Sequence, residues 1–269
     1  YYEVIAQHPD ILKLLVTLFG TSETLSSQLI AHPEFFDSLI STRIMNEVDP
    51  DGAARRERMN MALSVRTPSR RAIMLRRVVN FERLVLALQY LLRLKSLEES
   101  LGGLSDTADH CLDLAAFMAA GRMISKWTGQ EKPDDVKARE LVQAISRQFA
   151  IVALGKYGGR ELNIYGDLDV VFVYDGSKEL PAEVQDRYGS AQEFYDAFAD
   201  TVTAVVSEQL PGGRAFELDA RLRPHGRGAP LATDLTMYRN YLSSTADTWE
   251  LQAFHRARLA WGSLAVLDT

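Results

Sequence analysis

The chain has very little cysteine, and this scarcity excludes several classes of protein. Among its 269 residues, Cys111 is the only cysteine. A single thiol cannot form a disulfide framework, a zinc site built from several thiolates, or an iron–sulfur cluster. The five histidines are scattered without the spacing of a zinc site. We therefore expect a hydrophobic core to stabilise the fold, because a chain of this length can bury enough surface without covalent or metal crosslinks.

An excess of positive charge and long apolar runs are also missing. The formal net charge is −6, whereas general binding to nucleic acid phosphates requires a basic surface. The most apolar stretch, residues 84–94, is too short to span a bilayer and contains Arg93. We expect a cytoplasmic protein with no nucleic acid or membrane partner. Because the chain starts at Tyr1 rather than Met, we also expect it to be part of a longer polypeptide.

The first part of the chain has the apolar periodicity of helices. Over residues 5–19, apolar side chains recur at helical spacing, and Gly20 ends the run. Ser22 is a candidate N-cap for a second helix, and Pro33 is expected to open a third. These signals predict three consecutive helices of modest length.

Two longer helices are predicted next. Residues 70–100 are rich in Leu, Arg and Val without Pro or Gly, and residues 104–127 carry a second amphipathic pattern. The pair Gly102–Gly103 is expected to separate the two helices. We expect residues 1–128 to form a helical bundle that packs against the rest of the chain, and a partner-docking surface is the alternative.

The pattern changes after a polar hinge at residues 128–135. Residues 149–154 and 170–174 are short apolar runs typical of buried strands, and residues 216–222 alternate like a third strand. Between the second and third strands, residues 182–209 carry an apolar stripe at helical spacing. This part of the chain therefore combines a small sheet with a helix.

Together these patterns predict an α/β protein of the α+β kind. We expect an N-terminal helical bundle over residues 1–128 and a small mixed-sheet domain over residues 129–230. Residues 231–269 are expected to start a further helical region, because helical periodicity returns at Leu235.

Two aspartates at the start of the second strand have a spacing that suits a metal ion. Asp167 and Asp169 are two residues apart, so both carboxylates leave the same face, about 6–7 Å apart along the strand. Such a pair can hold one hard cation or share two. Mg²⁺ fits, since it binds one or two carboxylates and completes its shell with water and phosphate oxygens. A surface turn is the alternative interpretation.

A glycine-rich segment precedes the aspartates. Gly155, Gly158 and Gly159 allow the backbone to approach a ligand closely and to offer N–H groups to phosphate. Lys156 either contacts phosphate as well or is solvated. The segment lacks the Gly-Lys-Ser/Thr of a Walker loop and the dinucleotide-binding fingerprint, so it belongs to neither of those classes.

The third predicted strand adds charged groups to the same region. Alternation places Glu217, Asp219 and Arg221 on one face, where Asp219 can complete a three-carboxylate metal site. Arg223, directly before Pro224, can reach the phosphate end of a nucleotide with its planar guanidinium. The alternative is a surface strand on which Asp219 forms a salt bridge with an arginine.

Four ordered motifs resemble those of the bacterial glutamine synthetase adenylyltransferase/adenylyl-removing enzymes, which belong to the DNA polymerase β-like nucleotidyltransferase superfamily. The resemblance covers most of the chain, and four motifs in order are more specific than any one of them. The motifs are Gly-Lys-Tyr-Gly-Gly-Arg-Glu-Leu (155–162), Asp-Leu-Asp (167–169), Asp-Ala-Arg-Leu-Arg-Pro (219–224) and Trp-Glu-Leu-Gln-Ala-Phe-His-Arg-Ala-Arg (249–258).

The resemblance implies that residues 129–230 form a nucleotidyltransferase domain with ATP as substrate. Asp167, Asp169 and Asp219 would be the catalytic residues and would hold Mg²⁺, with Asp219 also activating the hydroxyl of an incoming tyrosine. Glutamine synthetase is the implied protein substrate, and a PII-type signal protein is a further expected partner of the full-length chain. The residues expected to bind nucleotide phosphates are Gly155, Lys156, Gly158, Gly159, Arg221 and Arg223.

The resemblance leaves the direction of the reaction open. One half of the family enzymes transfers AMP from ATP to a tyrosine of glutamine synthetase, and the other removes it by phosphorolysis, giving ADP. The pair Gln252–Ala253 is closer to the transferring half and favours adenylyl transfer. The alternatives are AMP removal and a non-catalytic nucleotide-sensing or partner-binding domain. The chain departs from the pattern at Gly166, where Ser is usual, so a hydroxyl that would face phosphate is absent.

Overall fold

The computed structural model describes residues 9–41, 52–65, 67–132, 134–210 and 213–263. Short 3₁₀ turns lie at Met61–Ser64, Gly226–Gly228 and Phe254–Arg256. The strands are β1 (Phe149–Ala153), β2 (Leu168–Tyr174), β3 (Leu218–Asp219), β4 (Ala232–Asp234) and β5 (Arg258–Gly262). The helices are α1 (Pro9–Thr21), α2 (Glu23–Ala31), α3 (Glu34–Ser41), α4 (Ala53–Asn60), α5 (Pro68–Leu91), α6 (Leu97–Thr128), α7 (Asp135–Ser146), α8 (Gly155–Gly158), α9 (Ala182–Gln185), α10 (Ala191–Ser207), α11 (Leu235–Ser244) and α12 (Thr248–Ala253).

Helices α1 to α3 form a small cluster against α5. Buried apolar side chains such as Leu18 and Leu25 belong to the same cluster as Leu84 of α5. Ser22 caps α2, because its hydroxyl accepts a hydrogen bond from the Leu25 backbone N–H at 3.3 Å. The predicted starts of α2 and α3 are therefore confirmed. The start predicted for the first helix, at residue 5, lies outside the described residues.

The long helices α5 and α6 are separated at a different place from the one predicted. Helix α6 begins with a capping box, in which the Ser96 hydroxyl accepts from the Glu99 N–H at 3.1 Å and the Glu99 carboxylate accepts from the Ser96 N–H at 2.7 Å. The prediction that Gly102 and Gly103 separate the helices is wrong, since both lie inside α6. Gly103 instead permits close packing, because a Cβ atom there would lie 2.9 Å from Leu86 Cδ2 in α5.

The polar hinge is confirmed as the connection between α6 and α7. Gly129 ends α6 in the left-handed conformation, with φ of 69°. The Asp134 carboxylate caps α7 by accepting from the N–H groups of Val136 and Lys137, each at 3.1 Å. Pro133 lies outside the described residues. Helix α7 leads directly into β1, which is buried along its whole length.

The described strands form one mixed sheet in which β1 and β2 are central. Strand β1 pairs antiparallel with β2 on one side and with β5 on the other. The free side of β2 is shared by two short parallel partners, β3 near its start and β4 at its end. The start of β2 therefore lies beside β3, which positions the residues of both strands for a common site.

The third predicted strand is shorter than expected, and two strands escaped prediction. Of residues 216–222, only Leu218–Asp219 pair with β2, because the Asp219 carboxylate accepts from the Arg221 N–H at 2.9 Å and turns the chain away. Strand β4 has three residues, too few to show alternation. The helical region expected over residues 231–269 is only partly present in their described part, because α11 and α12 lie between the strands β4 and β5. Strand β5 pairs with the open edge of β1.

The helix predicted over residues 182–209 is present as α9 and the longer α10. Helix α10 lies on the sheet, and the ring of Tyr195 stacks on that of Phe149 in β1 with centroids 5.4 Å apart. Its predicted apolar stripe is confirmed, because all six of its members are buried: Phe194, Tyr195, Phe198, Val202, Val205 and Val206.

The predicted α+β class is confirmed by this arrangement of helices around a small mixed sheet. One apolar cluster includes both Leu112 of α6 and Phe172 of β2, so the helical region and the sheet share a core. None of the described helices is long and apolar enough to cross a membrane.

Candidate active site

Three carboxylates converge where β2 and β3 run side by side. The parallel register places Asp169 opposite Asp219, and Asp167 stands directly before β2. One carboxylate oxygen from each residue lies within 4.8 Å of the others. Oxygens at this separation can jointly coordinate one or two divalent cations. The structure thus brings together the three side chains predicted as metal ligands, although Asp167 and Asp169 precede Asp219 by 52 and 50 residues in the sequence.

Burial and mutual repulsion act on the central carboxylate of this cluster. Burial, followed by the charges of Asp167 and Asp219, raises the pKa of Asp169 above its ordinary value of 3.8. The positive charges of Arg221 and Lys156 act in the opposite direction. The nearby cations therefore do not compensate the negative charge fully. A hard divalent cation fits this donor set, because it prefers oxygen ligands and would neutralise the excess charge.

Asp219 already has a cationic neighbour in Arg221. The Arg221 Nε donates to Asp219 Oδ1 at 2.8 Å, and this hydrogen bond is the first cause of a raised pKa for Arg221. The salt bridge that the sequence offered as an alternative is therefore formed, while Asp219 still faces the other two carboxylates. The Arg221 side chain is 59% exposed, so it can turn toward a phosphate without leaving a buried site. Its contact with phosphate stays a prediction.

Gly155 opens the glycine-rich turn α8 directly against the carboxylate cluster. Its φ is +56°, a conformation that favours glycine. A Cβ atom at this position would lie 2.6 Å from Asp169 Oδ2. Glycine is therefore required here by both the backbone conformation and the closeness of the Asp169 carboxylate.

Gly158 and Gly159 have structural partners inside the protein. A Cβ atom on Gly158 would lie 2.2 Å from the carbonyl oxygen of Arg256, so the turn packs closely against the segment that enters β5. The N–H groups of Gly158 and Gly159 donate to carbonyl oxygens of the same turn, at 2.7 and 3.1 Å. These hydrogen bonds close the turn. The predicted contact of both N–H groups with phosphate therefore requires that each N–H group either breaks its hydrogen bond or shares it with the phosphate, and this contact stays a prediction.

Lys156 stands at an open cleft of about 580 Å³ that Asp167 also lines. The side chain of Lys156 is exposed, and the opposite wall is formed by α5 and α6, with Leu86 and Leu101 among its residues. A cleft that combines a lysine, a carboxylate and an apolar wall can hold the phosphate end and the base of a nucleotide. The contact of Lys156 with phosphate stays a prediction.

Arg223 lies along a second cleft, of about 370 Å³, which Asp167 and Asp219 also line. Its guanidinium donates to the carbonyl oxygens of Ala220 at 2.5 Å and Ala229 at 3.3 Å. These contacts hold the loop that follows β3. The predicted contact of Arg223 with a nucleotide is therefore compatible with its position, and it stays a prediction.

A partly buried network behind the glycine-rich turn was missed by sequence reasoning. The Tyr157 hydroxyl donates to Asp109 Oδ1 at 2.5 Å, and Arg258 Nη1 donates to Asp109 Oδ2 at 2.7 Å. Asp109 and Arg258 are 149 residues apart, so no local pattern could pair them. The one available signal was that Arg258 ends the fourth motif. The network fixes the turn to α6 and β5.

Gly166 lies in the loop that leads to Asp167, where the resembled family has Ser. Its N–H donates to the carbonyl oxygen of Asn163 at 3.0 Å. A Cβ atom there would lie 3.1 Å from Leu162 Cδ1 and 3.3 Å from the Asn163 nitrogen. A serine would therefore fit after its neighbours shifted by a few tenths of an ångström.

Known proteins are similar to this chain over nearly all of its length. The family model for glutamate-ammonia ligase adenylyltransferase matches residues 12–267. The bifunctional glutamine synthetase adenylyltransferase/adenylyl-removing enzyme of Xanthomonas axonopodis pv. citri is 31% identical over 268 residues, covering 100% of this chain and 27% of that protein. The protein of the same name from Aromatoleum aromaticum is 30% identical, covering 99% of this chain and 26% of that protein. The chain thus spans about a quarter of the length of these relatives.

Proposed function

Because the chain belongs to the glutamate-ammonia ligase adenylyltransferase family, we propose that it transfers AMP from ATP to a tyrosine of glutamine synthetase in a Mg²⁺-dependent reaction. The observation that supports this most directly is the cluster of Asp167, Asp169 and Asp219 where the parallel strands β2 and β3 run side by side. The relatives are named as bifunctional glutamine synthetase adenylyltransferase/adenylyl-removing enzymes, and the chain covers only part of their length. The activity of the chain itself is therefore our proposal.

In this proposal the three carboxylates have different roles. Asp167 and Asp169 hold Mg²⁺, which supplies positive charge to the triphosphate of ATP. The tyrosine oxygen forms a bond with the α-phosphorus as the bond to the pyrophosphate oxygen breaks. Asp219 accepts the proton of the tyrosine hydroxyl. Reactions of this kind depend mainly on positioning and on stabilisation of charge, and a cluster held by two paired strands supplies a rigid position.

The remaining cations of the site would stabilise the leaving pyrophosphate. Lys156 and Arg221 are both exposed and both interact with the charge of Asp169, so each can turn toward phosphate oxygens. Arg223 lines the second cleft and would act from the other side. In the turn, Gly155 brings the backbone close to the cluster. Transfer thus requires small movements of side chains around a fixed group of carboxylates.

For the direction of the reaction we propose adenylyl transfer, supported by the pair Gln252–Ala253 of α12. AMP removal by phosphorolysis would use the same carboxylates with inorganic phosphate as the nucleophile, so the geometry of the cluster is compatible with both directions. A cytoplasmic location and contact with a PII-type signal protein through the full-length chain complete the proposal.

The test is transfer of label from α-phosphate-labelled ATP to purified glutamine synthetase in the presence of Mg²⁺. The full-length protein should be compared with a variant carrying Asp167→Asn and Asp169→Asn. Asp186→Asn is the matched control, because Asp186 is exposed and lies outside both clefts. We expect label on glutamine synthetase with the wild type and the control, and none with the double variant.

Three results would contradict the proposal. If no label is transferred but adenylylated glutamine synthetase and phosphate yield ADP, the chain removes AMP. If neither reaction occurs while ATP still binds, the chain is a non-catalytic nucleotide-binding domain. Label transfer that persists in the double variant would place the metal site elsewhere.

A further inference from the structure

Arg83 of α5 is a buried cation without an acidic partner in the described part of the chain. It is 5% exposed. Two other buried or half-buried arginines are paired with acids, Arg58 with Glu82 at 2.6 Å and Arg71 with Asp135 at 2.7 Å. The fully buried Arg76 instead donates to backbone carbonyl oxygens. Buried charges in proteins are normally paired in this way. The environment of Arg83 therefore calls for a separate explanation.

The contacts of Arg83 leave part of its hydrogen-bonding capacity unused. Its Nη1 donates to Asn80 Oδ1 at 2.8 Å, and its Cζ lies 4.1 Å from the centre of the Phe216 ring. Its Nε is buried and has no hydrogen-bond partner. A neutral amide and an aromatic face stabilise a guanidinium less than a carboxylate does. The group thus has a charge that no acid compensates and a buried Nε that no hydrogen bond satisfies.

The charge of Arg83 persists at neutral pH in spite of its burial. Burial lowers the pKa of Arg83 to about 10, which still leaves the guanidinium protonated. An anion in contact with it would regain the favourable electrostatic energy that burial removes.

An open cavity of about 590 Å³ lies beside this guanidinium. Its frame is cross-linked, because Gln28 Nε2 donates to the Asn80 carbonyl at 2.8 Å and the Tyr165 hydroxyl donates to Gln28 Oε1 at 3.3 Å. These two hydrogen bonds hold α2, α5 and the loop before β2 together before any ligand binds. We call this space the Arg83 cavity, lined by Gln28, His32, Asn80, Arg83, Tyr165 and Phe216 among others.

We propose that the Arg83 cavity binds a small oxyanion, a phosphate or carboxylate group, through the guanidinium of Arg83. Planar oxyanions and phosphates match the fork of an arginine, which can donate two parallel hydrogen bonds. Arg214 at the rim is paired with Glu217, so Arg83 supplies the uncompensated charge. The cavity does not include Asp167, Asp169 or Asp219, and the inference holds whether or not the chain transfers AMP.

The cavity adjoins the candidate active site through one loop. Tyr165 and Gly166 line both the Arg83 cavity and the cleft that contains Lys156, and Asp167 follows directly. An anion that orders Tyr165 would therefore act on the loop that carries the first carboxylate.

The first experiment uses the wild-type chain without Mg²⁺ and follows backbone amides by NMR during titration with inorganic phosphate at constant ionic strength. We expect saturable shifts that map to Gln28, Gly166 and Gly213 around the cavity. Parallel titrations with acetate and sulfate distinguish a carboxylate from a phosphate preference. Shifts confined to residues 155–159, or no saturation up to about 50 mM of any of the three anions, would overturn the proposal.

The second experiment compares Arg83→Met with Arg139→Met. Arg139 is exposed, lies outside the cavity and also rests over an aromatic ring, that of Phe117, so its replacement removes the same charge elsewhere. We expect phosphate affinity to fall by roughly tenfold or more in Arg83→Met, as for loss of a charged hydrogen bond, and to be unchanged in the control. Equal affinity in both variants would overturn the proposal.

Circular dichroism shows whether Arg83→Met is folded. If it is not, Arg83→Lys replaces it, since lysine keeps the charge but lacks the planar fork. We then expect weaker phosphate binding than in the wild type, and unchanged binding would count against a role for the guanidinium.

Discussion

Asp169 is the residue at which charge and burial conflict most directly. Its pKa is raised by burial and by two neighbouring carboxylates, so the folded protein binds this proton more tightly than the unfolded chain. Without a metal ion, Asp169 therefore stabilises the folded protein at a pH below 3.8, the ordinary pKa of an aspartate. This contribution is lost as the pH rises through the raised pKa that Asp169 has in the folded protein. Binding of a divalent cation requires the ionised carboxylate, so its stabilising effect grows over the same window.

We predict that Asp169→Asn raises the thermal stability of the Mg²⁺-free protein at neutral pH and abolishes stabilisation by Mg²⁺. Asparagine keeps the shape but removes the charge that burial disfavours. Thermal unfolding at about pH 5 and about pH 8, with EDTA or excess Mg²⁺, measures both effects. Asp186→Asn should retain the full response to Mg²⁺, and an Asp169→Asn protein that does the same would contradict the prediction.

Gly155 allows a second prediction at the residue scale. We expect Gly155→Ala to displace the Asp169 carboxylate, because the new Cβ would lie 2.6 Å from Asp169 Oδ2, and therefore to weaken Mg²⁺ binding. Gly129→Ala is the matched control, since Gly129 also has a positive φ but open space around it. Both should lose about 1–2 kcal/mol in urea unfolding through backbone strain. If Mg²⁺ binding is equal in the two variants, the glycine is required for conformation alone.

At the scale of elements, α6 runs through two adjacent glycines that the sequence had suggested as its boundary. Its true start is fixed by the capping box of Ser96 and Glu99, while the glycines differ in what surrounds them. Gly103 faces Leu86 of α5, whereas nothing lies within 4 Å of a Cβ on Gly102. The two positions differ only in their contact with another helix. The sequence pattern around the glycines therefore could not distinguish them.

We therefore predict opposite effects of alanine at these two positions. Gly102→Ala should stabilise the protein by about 0.5–1 kcal/mol, because alanine has less conformational freedom to lose in a helix. Gly103→Ala should be destabilising, since its Cβ would lie 2.9 Å from Leu86 Cδ2 and overpack the contact with α5. Urea unfolding of the two variants measures the difference, and equal stabilisation by both would show that α5 and α6 are further apart.

At the scale of the whole molecule, the helical region and the sheet are joined by polar as well as apolar contacts. Arg76 of α5 is fully buried and donates to the Glu208 carbonyl oxygen after α10, at 2.8 and 3.0 Å. Trp261 of β5 donates to Asp113 of α6 at 3.2 Å. With the shared apolar core, these contacts make independent unfolding of either part costly.

We predict a single cooperative unfolding transition for the described regions. Trp127 lies in α6 and Trp261 in β5, so variants that keep one of these tryptophans provide fluorescence probes at two different places in the fold. Their fluorescence and the far-ultraviolet circular dichroism should give coincident urea transitions. Two separated transitions would show that residues near the predicted boundary at 128 divide two independently stable parts.

The local sequence pattern was sufficient to predict those features that depend on residues close together in the chain. The apolar stripe of α10, the N-cap Ser22 and the strands β1 and β2 all depend on spacing and propensities within one segment, and the structure agrees with them. The Asp167–Asp169 pair was likewise visible, because both residues belong to one short segment. The resemblance of four motifs indicated the family, which the family model confirms.

The features that depend on contacts between residues far apart in the sequence were determined by the tertiary structure alone. Strand β5 exists because it covers the edge of β1, and Asp109 pairs with Arg258 across 149 residues. The closeness of Asp219 to Asp169 follows from the parallel register of β2 and β3. Among the residues that the structure describes, the buried Nε of Arg83 finds no hydrogen-bond partner because of the packing around α5. Sequence determined which chemical groups this protein has, and the fold determined which of them meet, because burial and pairing energies arise only once separate segments are packed together.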